Sequence, residues 1–324
     1  VLGGERKPRR LTYLAVVIYL GGVIFLATYS LRQVDDQLRS KTAGVLRTIN
    51  DSAAKTLELY EQSLADRIHH FAALEETRRS VSDLLAGSEG TSYKLRAYEE
   101  LTENFRDHLQ DNGYVSAQLV GLDYIIHWST RAEPISSSRW LEPGGHAEEW
   151  LNVFQGAHET FPAAFTADRG ALLAMAVPIR DLTGTVIAAV LVELELDSLL
   201  SPVTRIGRFG DSGETYIVSA GGVFLTESRF RKQLMGVHLD GAGQVGARAD
   251  LPSDEQSRLI ESVSNVVAGG SGVNVQGYTD YRGRKVFGAW RWNESLGIGL
   301  VTEIDVDEAL EPYIAFRNQA VIGL

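Results

Sequence analysis

The longest apolar run lies near the start of the chain. From Leu11 to Ser30 the sequence LTYLAVVIYLGGVIFLATYS carries no charge, and about 20 residues of helix cross the roughly 30 Å of a bilayer's hydrocarbon. The run predicts a transmembrane helix over residues 11–31. A cleaved signal peptide is the alternative, but its apolar stretch is usually about 7 to 15 residues, and no small-x-small cleavage site follows here. Arg6, Lys7, Arg9 and Arg10 precede the run. The positive-inside rule therefore makes residues 1–10 a cytoplasmic tail and places everything after residue 31 on the periplasmic or extracellular side of the cell membrane. At the other end, Gln319 to Leu324 (QAVIGL) opens another apolar segment. Residues 306–324 are thus expected to form an exit helix leading into a second transmembrane helix, with any output module beyond it.

After the anchor the pattern becomes that of a long amphipathic helix. Leu38, Val45, Ile49, Ala53, Leu57, Tyr60, Leu64, Ile68, Phe71 and Leu74 recur at steps of three, four or seven, with no proline or glycine between Gly44 and Gly87. A second helix from Ser92 to about Gln110 ends at the turn signal Asp111-Asn112-Gly113. These stretches form a stalk and helical layer over residues 32–110.

The period then changes to that of strands. Tyr114–Leu122, Tyr124–Ser129, Ala163–Thr166, Ala171–Ile179 and Thr185–Glu195 make a first antiparallel sheet, within a distal module over 111–200. Leu196–Val203 reads as a connector ending at Pro202. A second module over 201–305 has strands at Thr215–Ser219, Val223–Thr226, Val273–Tyr281, Lys285–Trp292 and Ile298–Ile304. A helix from Ser253 to Val267 within it is opened by the cap Ser253-Asp254-Glu255-Gln256. The fold class is α+β: helix followed by meander, twice.

Composition narrows the function. The net charge of -11 repels phosphates, and the one basic cluster flanks the membrane run, so nucleic acid is excluded as a partner. With no cysteine, disulfides, thiolate metal sites and cysteine nucleophiles are ruled out. Seven histidines are present, but none stands in a metal-binding spacing, and no metal or cofactor is expected. Gly207, Gly210 and Gly213 do not follow a strand in a βαβ unit, which rejects a dinucleotide fingerprint. Gly210-Asp211-Ser212-Gly213 spells the surroundings of a serine-protease nucleophile, yet Glu214 replaces the second glycine and no upstream histidine accompanies it. A turn before a strand is the simpler reading.

Three stretches carry a resemblance. GRFGDSGETYIVSAGGVFLTESR from Gly207 to Arg229 resembles the opening of the membrane-proximal module of double Cache sensor domains. YRGRKVFGAWRW from Tyr281 to Trp292, followed by LGIGLVTEID from Leu296 to Asp305, is similar to the closing strand pair of that module. PIRDLTGTVI from Pro178 to Ile187, continuing to Leu199, is similar to the last distal strands. The resemblance implies a long N-terminal transmembrane and stalk helix followed by two stacked PAS-like (Cache) modules, in the sensing region of a bacterial transmembrane receptor. It also implies a small ligand, an amine, amino acid or carboxylate, in the distal module.

Amino-acid-binding members carry an R-x-W-Y motif and an aspartate on the last distal strand. Here Arg139-Trp140 is followed by Leu141-Glu142, and Glu193 takes the aspartate's place. Trp128, Arg139, Trp140, Phe165 and Glu193 are the expected ligand-binding residues: aromatic walls, a cation and an anion. Tyr216, Arg229, Tyr278 and Trp290 form a similar set in the proximal module, where core packing is the expectation. No catalytic residue is expected, and the helix stripe suggests a homodimer. The alternatives are a membrane-anchored hydrolase acting through Ser212 and a structural ectodomain without a ligand.

Overall fold

The computed structural model describes residues 7–86, 91–108, 114–131, 146–166, 170–234, 242–252 and 258–322. Helix α1 runs from Lys7 to Ala73 without a break, so anchor and stalk are one rod of about 100 Å at 1.5 Å per residue. Tyr13, Val17, Ile18, Phe25 and Leu26 in its first part are exposed. It is the one helix among the described residues that is long and apolar enough to cross a membrane.

Further along, α1 buries Leu46, Asn50, Ala53, Leu57, Leu64, Ile68 and Phe71. The start of the stripe is shifted from the sequence expectation: Val45 is 42% exposed and Leu46 is fully buried. Asn50 explains the shift. Its Nδ2 donates to the carbonyls of Ala289 and Leu300, both at 3.4 Å, and to Thr302 Oγ1 at 3.2 Å. A polar residue thus occupies a core position because it ties the rod to a sheet.

The rod ends at Leu74, whose ψ of 133° is extended, although neither proline nor glycine is present. Helix α2 (Glu75–Leu85) turns away and buries Thr77, Ser80, Val81 and Leu84, packing on α3 (Thr91–His108). Burial of this face, not a local breaker, sets the boundary.

The first sheet holds β1 (Tyr114–Gly121), β2 (Ile126–Ser129), β3 (Glu159–Thr166), β4 (Gly170–Arg180) and β5 (Val186–Glu195). It is antiparallel in the order β2-β1-β5-β4-β3. One face packs on the helices through Ala117, Leu119, Met175, Val177, Val190 and Val192. The other packs on α4 (Ala147–Gln155), through Val120, Ala174, Leu191, Trp150 and Val153. The sequence pattern gave no sign of α4.

Residues read as a connector are instead helix α5 (Leu196–Ile206), with Pro202 inside it. An interior proline costs a helix about 3 kcal/mol. Leu196, Leu200 and Val203, at steps of four and three, are fully buried and offset that cost.

The second sheet comprises β6 (Glu214–Ser219), β7 (Gly272–Thr279), β8 (Lys285–Asn293) and β9 (Ile298–Asp305), antiparallel in the order β6-β9-β8-β7. Helices α6 (Arg231–Leu234) and α7 (Glu261–Val267) lie between β6 and β7 in the chain. The strand expected at Val223–Thr226 makes only isolated bridges, Val218 to Phe224 and Val223 to Arg248. The helix expected from Ser253 begins at Glu261; residues 253–257 lie outside the described residues. Helices α8 (Val306–Ala309) and α9 (Glu311–Ile322) follow β9 directly. One apolar core runs from α1 and the first sheet through α5 to Ile217, Leu225, Leu296 and Ile298 of the second, so the two sheets are packed as one body.

Candidate functional site

Side chains alternate across a strand, so strand pairing decides which residues share a face. Ser116 stands opposite Glu193, and Gln118 opposite Leu191. All of these lie on the α4 side of the first sheet. Ser116 Oγ donates to Glu193 Oε2 at 2.6 Å, and Arg131, just beyond β2, forms an ion pair with the same oxygen. The Glu193 side chain is 2% exposed and that of Arg131 18%. A buried carboxylate needs such a partner, since desolvation of an isolated charge costs several kcal/mol.

Gln118 is also buried, and among the described residues its Oε1 has no hydrogen-bond partner. An unpaired buried acceptor costs about 1 to 3 kcal/mol. Beside the Glu193 carboxylate it makes a position that favours a donor, and a cationic donor most of all. The guanidinium of Arg131 supplies the complementary charge.

Two of the residues expected at this site are placed elsewhere. Trp128 stands opposite Leu119 and faces the helices. Its ring lies 5.9 Å from that of Phe105 and 6.4 Å from that of Tyr98, and its Nε1 donates to Thr102 Oγ1 at 3.0 Å. Phe165 packs on the same helix-facing core, at the end of β3, and its ring lies against Gly246 of the second module. Neither shares the face of Glu193. Arg139 and Trp140 lie outside the described residues. Ser116, Gln118 and Arg131 were missed in the sequence, although two polar residues two apart in an otherwise apolar strand signal a polar patch on one face.

The second sheet contains a buried acidic cluster. Glu303 Oε1 accepts from Tyr278 at 2.6 Å, Ser262 at 2.9 Å and Tyr216 at 3.1 Å, while Oε2 has no partner among the described residues. Burial, with the nearby Asp280 adding, pushes the Glu303 carboxyl up to about 8. Glu214 accepts from Ser228 at 3.0 Å and from Tyr281, and burial raises its carboxyl too. Arg282 bridges Asp280 and Asp305, both at 2.6 Å. Trp290 lies edge-on to Tyr278 at 6.4 Å, and Arg229 donates to the carbonyl of Gly213. The aromatic and basic set of this module is therefore packed structure.

Gly210-Asp211-Ser212-Gly213 is a turn, with Gly210 at φ +55°. Ser212 Oγ donates to Glu308 Oε2 and accepts from the Asp305 amide at 3.0 Å. Both roles of the hydroxyl are engaged in joining β9 and α8 to the turn. A nucleophile needs a base within reach, and the residues bonded to this hydroxyl include no histidine. Among the described residues no group of three or more histidine, aspartate and glutamate side chains could hold a metal.

No family model matches the chain, and no curated protein matches it. Among solved structures, it is similar to the ligand-binding domain of the Campylobacter jejuni chemoreceptor Tlp3 in complex with 4-methylisoleucine. The TM-score is 0.54 at 9% identity, over 84% of this chain and 94% of that one. The same domain in complex with L-norvaline gives 0.52 at 10% identity, over 84% and 94%. The periplasmic sensory domain of the C. jejuni chemoreceptor Tlp1 gives 0.50 at 13% identity, over 85% and 99%. At such identities the likeness is one of fold. Two antiparallel-sheet modules behind one long helix, the architecture implied by the double Cache resemblance, is the architecture found.

Proposed function

We propose that the chain is the ligand-sensing region of a transmembrane receptor, and that a small amine-bearing molecule, with an amino acid as the leading candidate, binds the α4 side of the first sheet. The observation that carries this reading is the unpartnered Gln118 Oε1 beside the Glu193 and Arg131 pair. A ligand ammonium would donate to Gln118 and Glu193, and a ligand carboxylate would take the remaining guanidinium edge of Arg131. The similar Tlp3 domain structures are complexes with 4-methylisoleucine and L-norvaline, ligands of this class.

The connectivity supplies a route for the signal. Glu193 lies three residues before the start of α5, which leads into β6 and, through its partner β9, into α8 and α9. A ligand with different affinities for two arrangements of these elements shifts their populations. In this reading residues 1–10 are cytoplasmic, the modules are external, and no bond is made or broken in them. Two copies would pair along α1, where Val45 and Leu59 are exposed and lie two heptads apart.

Fusing the chain to a reporter kinase tests the proposal. Output should respond to amines found to bind, and Gln118→Leu should shift the half-maximal concentration upward by about tenfold. Output indifferent to every binding amine would overturn it.

A further inference from the structure

A cavity of about 210 Å³ lies at the far end of α1, lined by His69, Ala72, Ala73, Arg78, Gly156, Pro178 and Arg180. Among the described residues its walls carry two guanidiniums and an imidazole but no carboxylate, in a chain with a net charge of -11. Arg78 donates Nε to the Arg180 carbonyl at 2.8 Å and Nη2 to the Asp181 carbonyl. Arg180 donates Nη1 to the Gly184 carbonyl at 3.0 Å. Among the described residues neither arginine forms an ion pair, and the backbone carbonyls that fix the two side chains do not neutralise their charge.

The local backbone is shaped to admit these groups. Gly156 ends α4 at φ +104°, and a side chain there would collide with the Arg180 guanidinium. His69 Nε2 lies 3.1 Å from His158 Nδ1, so neutral rings share one proton between them. Burial, and then His158, lowers the His69 imidazole below its ordinary value, while Asp66 on α1 opposes them. The nearby Asp181 carboxylate is taken up by its own turn, accepting from Thr183 at 2.6 Å and from the Thr185 amide at 3.0 Å.

We infer that this cavity binds a small oxyanion, held between the guanidiniums of Arg78 and Arg180 with His69 as a third donor. Size sets the class. The space equals that of roughly seven waters at ~30 Å³ each and falls below the ~300 Å³ lower range for drug-sized ligands. A tetrahedral inorganic anion or a short carboxylate fits, and guanidinium pairs suit either. The bound anion would join the end of α1 to α2, the end of α4 and β4, on elements separate from the Glu193 patch. A bound anion also favours the imidazolium of His69, so binding tightens as pH falls.

The test is calorimetric titration of the full chain in maltoside micelles with sulfate and, separately, inorganic phosphate and acetate, at ionic strength held constant with chloride. One saturable site is expected. Arg180→Gln and Arg78→Gln should each weaken it by about tenfold or more, while Arg79→Gln, on the exposed residue paired with Glu75, leaves it unchanged. Sulfate, whose own charge is constant, should bind more tightly at about pH 6 than at about pH 8, and His69→Gln should remove that difference. Arg180 is exposed, so Arg180→Gln decides the matter if Arg78→Gln fails to fold. The absence of saturable binding by all three anions, or binding unchanged in Arg180→Gln, would overturn the inference.

Discussion

The Glu308 carboxylate holds Ser212 by both its amide and its hydroxyl: Oε2 accepts from Ser212 N at 2.7 Å and from Ser212 Oγ, and Oε1 accepts from Asp211 N at 2.8 Å. Glu308 belongs to α8, the first turn after β9, and Ser212 to the turn before β6. The exit from the second module is thereby latched to its entrance.

Burial pushes the Glu308 carboxyl up, but the hydrogen bonds from the Ser212 side chain and the Asp211 and Ser212 amides outweigh burial and hold it below its ordinary value. A lowered folded-state pKa contributes stability above the unfolded value of about 4.5 and loses it as pH falls through the folded value. Glu308→Gln should therefore lower stability near neutrality, by about 1 kcal/mol or less because the carboxylate is partly exposed to solvent, and converge with the parent in acid. Thermal melts from about pH 3 to about pH 7 check this. Ser212→Ala should weaken the same latch.

Glu303 has the opposite sign. Its carboxyl is raised to about 8, so between about 4.5 and about 8 the folded state keeps a proton that the unfolded chain has lost. Stability from this group therefore falls as pH rises through that window and levels off above it. Glu303→Gln mimics the protonated acid and should flatten the dependence, with its largest advantage over the parent at about pH 8 and above. Melting curves across this range would show it.

Much of the fold was legible because period determines element type. The alternation from Tyr114 to Leu122 and from Lys285 to Trp292 marks strands found at Tyr114–Gly121 and Lys285–Asn293. What could not be read depends on partners distant in sequence. Asn50 is polar, and its place in the core is set by the carbonyls of Ala289 and Leu300. Pro202 suggests a helix end, and only the buried Leu200 and Val203 outweigh it. At the candidate site, Glu193 is expected from a resemblance, whereas the face of Trp128 follows from its pairing with Leu119, which composition does not reveal.

That division of faces has its own test. Trp128→Phe removes the bond to Thr102 and part of a fully buried ring, and should cost about 1 to 3 kcal/mol of stability with ligand affinity unchanged. Calorimetric titration beside denaturant unfolding separates the two effects.

Removing Arg131 takes its ion pair away from the buried Glu193. Arg131→Gln should destabilise the fold by about 3 kcal/mol or more, beyond the effect expected of a surface substitution. Exchanging both residues together, Arg131→Gln with Glu193→Gln, should recover part of the loss, as a double-mutant cycle measures.

The most direct measurement is a thermal-shift titration of the full chain in micelles against amino acids, amines and carboxylates, since a ligand that binds only the folded state raises its melting temperature. The account predicts that an amine-bearing compound gives a saturable rise, and that Glu193→Gln and Gln118→Leu each weaken it by about tenfold or more. No shift with any amine, or a shift indifferent to both substitutions, would contradict a ligand site on this face of the sheet.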